Sequence, residues 1–237
     1  LVKRGFNANP DVLEAPKGVI ATYYPDSFDT ARLLAFGKPF RVVDPGMAIK
    51  MFPSQYGTQF CISAALELAP QIPHKSAITR LRIIAPAVRH VDRPQPKNGL
   101  EGKHSLQYTT GVAILDGAVK IASFSDERRF RTDIVNLLER TEVVIDESIP
   151  EGTHEMHMIV ETELSDGRRL SAVCRGPKGA WGVPLAASDH RAKLEDCLAS
   201  ILAAREVNEA INLLDNLEQQ DHAGVRKIVA LIAGARQ

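Results

Sequence analysis

Between Met156 and Cys174 the chain carries its most restrictive signal. Met156, Met158, Val160 and Leu164 lie mostly at period two, Ser165-Asp166-Gly167-Arg168 supplies a turn, and Leu170, Ala172 and Cys174 resume the alternation. This is the pattern of a β-hairpin with one buried face, so the fold must contain a sheet. Thr79-Arg80-Leu81-Arg82-Ile83 alternates in the same manner, and Thr141 to Ile145 offers a further strand. The other periodic segments are helical. From Thr58 to Ala69 the residues Ile62, Ala65, Leu66 and Ala69 recur at helical spacing and Pro70 follows. A second helix is expected from His104 to about Leu115, ended by Asp116-Gly117, and a third around Asp133 to Glu139. A short helical run, Ser27 to Phe36, is opened by Pro25-Asp26-Ser27.

Beyond the Gly- and Pro-rich stretch Gly176 to Pro184 the strand signals stop. Ser188 is the expected N-cap there, and amphipathic helices are expected through Ala235. The organisation is therefore a lead-in over residues 1–45, a mixed α+β module over 46–186, and a helical segment over 187–237. The strands are too sparse for a doubly wound sheet, so the fold class is α+β.

Composition narrows the partners. Lys plus Arg and Asp plus Glu both number 29 in the 237 residues, leaving no basic excess for a nucleic-acid or anionic-membrane surface. Cys61, Cys174 and Cys197 are far apart and odd in number, which argues against a disulfide framework and fits a reducing compartment. No apolar run reaches the roughly 18 to 20 residues of a membrane span, so a cytoplasmic protein is expected. Leu1 in place of an initiating Met hints that the chain begins inside a longer gene product.

Several motifs invite chemistry. His154-Glu155-Met156-His157 fails the i, i+4 spacing of a helical zinc site, and on a strand its two histidines face opposite sides. Gly176-Pro177-Lys178-Gly179 has the GxxG form of a KH loop, but it follows a strand and contains Pro, so a structural turn is the better reading. No GxGxxG, Walker A or GxSxG motif occurs. Lys50 is more promising. In Ala48-Ile49-Lys50-Met51-Phe52-Pro53 its ammonium is flanked by apolar residues, surroundings that suit a lysine which binds an anion or moves a proton beside a carboxylate. Lys103-His104-Ser105-Leu106-Gln107-Tyr108 gathers donors at an expected helix start, where carboxylates bind readily; in a regular helix His104 and Tyr108 share a face.

The lysine motif and the small-residue helix through Ala64-Ala65-Leu66-Glu67-Leu68 resemble the MmgE/PrpD family. Later landmarks fall in the same order: Pro94 and Pro96, Glu101 to Tyr108, Leu115-Asp116-Gly117, Phe124, Asp166-Gly167, Lys178-Gly179, Pro184-Leu185 and Lys193. The resemblance implies an all-helical domain built from both ends of a longer chain, with residues 46–186 as an inserted α+β lid and 187–237 as returning helices. It implies a lyase for small di- or tricarboxylates, of the 2-methylcitrate dehydratase or cis-aconitate decarboxylase kind, working without metal or organic cofactor, as a homodimer, and complete only with an N-terminal half. Lys50 and Tyr108 would be catalytic, and Lys50, His104 and Tyr108 would bind substrate. The Arg93-Pro94-Gln95-Pro96 and His-Ser-Leu-Gln-Tyr runs look closer to the decarboxylase branch. Gln55 and Gln59, however, stand where related decarboxylases carry histidines. The rival readings are a dicarboxylate epimerase and a non-catalytic binding or assembly subunit derived from the family.

Overall fold

A computed structural model describes residues 2–35, 37–40, 42–44, 46–152 and 155–234. The fold is α+β, and the chain divides into two compact units, Leu1–Met47 and Ala48–Gln237. In the first unit, helices α1 (Val19–Tyr23) and α2 (Thr30–Leu34) are each a little over one turn long. Among its described residues only Gly18 is buried. Helix α2 opens later than Pro25-Asp26-Ser27, because Asp29 caps it by accepting from the amides of Ala31 (3.0 Å) and Arg32 (3.4 Å). Phe36, the expected end of that run, lies outside the described residues.

The second unit is built on a sheet of order β2-β1-β3-β4, with β1 Ile78–Ala85, β2 Thr141–Ile145, β3 Met158–Leu164 and β4 Arg169–Cys174. The hairpin β3–β4 forms as its alternation requires, with Val160 opposite Ala172 and Gly167 at φ +85° in the turn. Strand β1 pairs antiparallel with β3 and parallel with β2, Leu81 lying opposite Thr141. A register shift between Ile78 and Arg80 explains why the buried positions of β1 change phase from Ile78 to Leu81. Met158, Val160, Thr162 and Leu164 point into the core. The opposite face carries charge: Arg82 reaches Glu142 (3.0 Å) on β2 and Glu161 (2.8 Å) on β3.

Helix α3 (Thr58–Leu68) packs against β3, β4 and α5, and is so enclosed that Phe60, Cys61, Ile62, Ala65 and Leu68 are all solvent-inaccessible. The chain from β1 to β2 carries α4 (Gly99–Gly102), α5 (Leu106–Asp116), α6 (Asp126–Arg129) and α7 (Thr132–Leu138). Every residue of α5 from Leu106 to Ile114 is buried, and Gly117 ends the helix at φ +65°. Its start differs from the expectation. Ser105, not His104, begins it, since the Ser105 hydroxyl accepts from the Tyr108 amide at 2.9 Å. His104 therefore sits outside the helix and is exposed while Tyr108 is buried, so the two do not share a helical face.

Helices α8 (Ala187–Leu198), α9 (Ala204–Asp215) and α10 (His222–Gly234) complete the unit. Ala186, rather than Ser188, occupies the N-cap of α8; Ser188 lies within the first turn, beside Asp189, whose charge suits that end of the helix dipole. Helices α8 and α9 and the turn between them share a small core of Leu198, Leu202, Val207, Ala210 and Ile211. Ala235 lies outside the described residues. Among the described residues no helix is long and apolar enough to cross a membrane.

Candidate functional site

Lys50 lies on a loop that is tied down at both ends. At the near end Ile49 donates its amide to the carbonyl of Gly179 (2.7 Å), and a Cβ at residue 179 would stand 1.9 Å from the Ile49 carbonyl oxygen. With φ at +84° as well, position 179 admits glycine and nothing larger. The GxxG-like segment is thus a clasp on the Lys50 loop, placed between β4 and α8, not a KH loop between two helices.

At the far end the side chain of Gln59 does the work of a strand partner. Its Oε1 accepts from the Phe52 amide (3.0 Å), and its Nε2 donates to the Phe52 carbonyl (3.1 Å) and the Ser54 hydroxyl (2.9 Å). Gln59 is buried, so each of these bonds replaces water it has lost. Met51 and Phe52 turn inward while Lys50 stays exposed. The apolar shell expected around its ammonium is therefore absent on the solvent side, where Ile49 is exposed as well. Lys50 has no hydrogen-bond or ion-pair partner among the described residues.

The loop next meets the segment before α5. Gln55 donates its amide to the carbonyl of Lys103 (2.9 Å), which sets the Lys50 loop beside exposed His104, and its side chain meets His90 at 3.2 Å. The His90 turn is fastened in the same place. Gln107 donates to Asp92 (2.6 Å) and accepts from the Arg93 amide (3.2 Å), while the Ser105 hydroxyl donates to the Arg93 carbonyl (2.6 Å). Three segments distant in sequence thus share one polar network, with Lys50, His90 and His104 all solvent-exposed on them.

Tyr108 does not join that surface. Its hydroxyl is buried and donates to the Ser123 carbonyl at 2.6 Å, its ring packs 6.2 Å from that of Phe124, and Gly102 lies so close that a Cβ would come within 2.5 Å of the ring. Burial outweighs the nearby Arg128 and Arg129 charges and pushes the phenol up to about 12.

A groove of about 480 Å³ lies further along the same unit. Its floor includes Met51, Phe52 and Leu66, and Lys120, Lys193 and the Lys178–Asp189 ion pair line it. The residues next to Lys50 in sequence therefore form part of a concave wall. Of the His154 to His157 run, His154 lies outside the described residues; among those described, no group of three His, Cys, Asp or Glu side chains could hold a metal ion.

His90 is the participant that motif reading passed over. Nothing in spacing points to it, since its link to Gln55 spans 35 positions and depends on how two loops fold together.

The chain matches the MmgE/PrpD C-terminal domain over residues 52–219 and belongs to that family. It is 24% identical over 233 residues to the cis-aconitate decarboxylase of Mus musculus, an alignment covering 95% of this chain and 47% of that protein. The cis-aconitate decarboxylase of Homo sapiens gives 24% over 232 residues, covering 95% and 48%. The chain thus spans about half the length of the curated relatives it matches.

Proposed function

We propose that this chain is the carboxylate-binding lid and helical return of a cofactor-independent lyase acting on small di- or tricarboxylates. The carrying observation is the fixed, unpartnered Lys50. A cation held on a loop anchored through Ile49, Phe52 and Gln55 is pre-positioned for an anion, because little loop entropy remains to be lost on binding. The kinship with cis-aconitate decarboxylases supports a carboxylate as that anion.

In this reading Lys50 pairs with one substrate carboxylate and handles the proton beside it, and His104 adds a second polar contact. Tyr108 enters as a hydrogen-bond donor only by exchanging the Ser123 carbonyl for the substrate. Residues 46–186 act as the lid, and 187–237 return to a helical domain whose other part is an N-terminal half. That half closes the open side of the site, and the assembly is a cytoplasmic homodimer. Dehydration of 2-methylcitrate, decarboxylation of cis-aconitate and epimerisation of a dicarboxylate all begin with proton transfer beside a carboxylate, so product analysis separates them.

A non-catalytic binding subunit is the second reading. Gln55 favours it, being an uncharged side chain, unable to carry a proton, at the point where the Lys50 loop meets the rest of the site.

The test is turnover and binding of cis-aconitate and 2-methylcitrate by the full-length polypeptide, with products followed by NMR. Losing a charge-assisted contact of about 1.5–3 kcal/mol weakens affinity by roughly 10- to 100-fold, so Lys50→Ala is expected to raise Kd by that factor. Binding without turnover selects the subunit reading. Binding that Lys50→Ala leaves unchanged removes Lys50 from the site.

A further inference from the structure

Gln55 fixes more than the course of the loop. Its Oε1 accepts the Gly57 amide at 2.5 Å, so its oxygen is engaged and the amide nitrogen must face the remaining neighbour, Nε2 of His90, at 3.2 Å. A carboxamide nitrogen only donates. In this contact the His90 Nε2 is therefore the acceptor, which leaves Nδ1 as the N–H donor of the ring.

The His90 backbone is held as well. Its carbonyl accepts from the Arg93 guanidinium at 3.1 Å, and the Arg93 carbonyl and Asp92 carboxylate are tied to Ser105 and Gln107 at the start of α5. Both the position of the ring and its tautomer are thus set by groups outside it. What remains is one N–H donor, on Nδ1, without a partner among the described residues and on an exposed side chain.

We propose that His90 is a further substrate-contacting residue, its Nδ1–H donating to a second carboxylate of the polycarboxylate that Lys50 pairs, with Gln55 the positioning residue that holds the tautomer. The inference rests on the reading of Lys50 given above and extends it from a single-anion contact to a two-point one. A single N–H donor suits the second point. Lys103 and Arg93 already bring positive charge to this region, and an N–H donor orients a carboxylate without adding another full charge that would hold back product. Two fixed points also select for chemical class: a monocarboxylate can satisfy only one of them.

The test uses full-length protein with ¹⁵N-labelled histidine and cis-aconitate as the probe. Unliganded wild-type protein is expected to show His90 as the Nδ1–H tautomer, and cis-aconitate to move that resonance. In Gln55→Glu the carboxylate keeps the Gly57 bond but presents an acceptor to the ring, so the proton is expected to shift to Nε2 and the KM for cis-aconitate to rise about 10-fold, the scale of one lost hydrogen bond. His90→Asn is expected to raise KM similarly while leaving KM for a monocarboxylate analogue unchanged. His90 is exposed and Gln55 half-buried, and thermal melting checks that both variants fold. If Lys50→Ala weakens cis-aconitate binding but the His90 resonance stays still and His90→Asn binds normally, the two-point inference is overturned and the Lys50 reading stands. If cis-aconitate and 2-methylcitrate bind nowhere, the Lys50 reading falls and takes this inference with it.

Discussion

The body formed by α3, α5, α7 and the sheet, and the helices α8–α10 that follow it, differ in what holds them. In the body one continuous core runs from Phe52 to Cys174 and includes side chains with no solvent contact on three helices, α3, α5 and α7, and two strands, β1 and β3. Helices α8 and α9 share a cluster of five buried residues, α10 adds Ile228, and polar ties such as Lys178 to Asp189 (2.8 Å) and the Ile121 amide to Asp196 (2.9 Å) link them to the body. The body should therefore unfold as one cooperative unit, and α8–α10 should open at lower free energy without it. The site sits on the cooperative side of that division, where its geometry is most firmly held.

The sharpest challenge to this contrast is to make matching cavities. Phe60→Ala in α3 should cost about 3–5 kcal/mol and lower the whole body's thermal transition. Ile211→Ala in α9, equally buried, should instead speed amide exchange in α8–α10 while the main transition hardly moves. A common shift of both would show a single cooperative unit and remove the distinction.

Next in size is Tyr108→Phe, which deletes the bond to Ser123 and leaves a buried carbonyl without its donor, at a cost of about 1–2 kcal/mol. Its pH signature is directional. The folded phenol holds its proton to about 12, whereas an unfolded tyrosine releases it near 10, so the folded state binds more protons between those values. Stability from this group is complete below about pH 10 and is lost as pH rises toward 12. Denaturant titrations should show a shallower alkaline decline in the Phe variant; equal slopes would mean that Tyr108 is not the titrating group.

The smallest effect belongs to Lys178→Ala. Its pair with Asp189 is more than half exposed on the lysine side, so about 0.2–1 kcal/mol is expected, read as faster exchange at the start of α8 and reduced by added salt.

Legibility in the sequence followed the same division of forces. The hairpin could be read because alternation and Gly167 report purely local requirements, and Thr141 to Ile145 is β2 as expected. The parallel pairing of β1 with β2 could not, since it depends on how the crossover through α4–α7 packs. Caps misled at three helices: Asp29, Ser105 and Ala186 stand at positions other than those suggested by Asp26-Ser27, His104 and Ser188. At α2 and α5 neighbouring polar residues compete for the cap, whereas α8 starts at Ala186 with no side-chain cap, and spacing alone reveals neither. In the site, Lys50 and His104 stand on neighbouring segments, but the burial of Tyr108 follows from Gly102 and Phe124 meeting its ring in three dimensions. The Gln55–His90 link is invisible for the same reason.

The contact between Ile49 and Gly179 carries one more consequence. The polypeptide enters and leaves the sheet-bearing region at a single point, as thread does at a knot. A segment whose two ends already touch can be spliced into a host loop at little closure entropy, and its new neighbours need not hold those ends together. Ala48 to about Pro184 should accordingly behave as a transferable insert, tolerant of being moved between scaffolds or permuted at the β3–β4 turn, provided position 179 remains glycine.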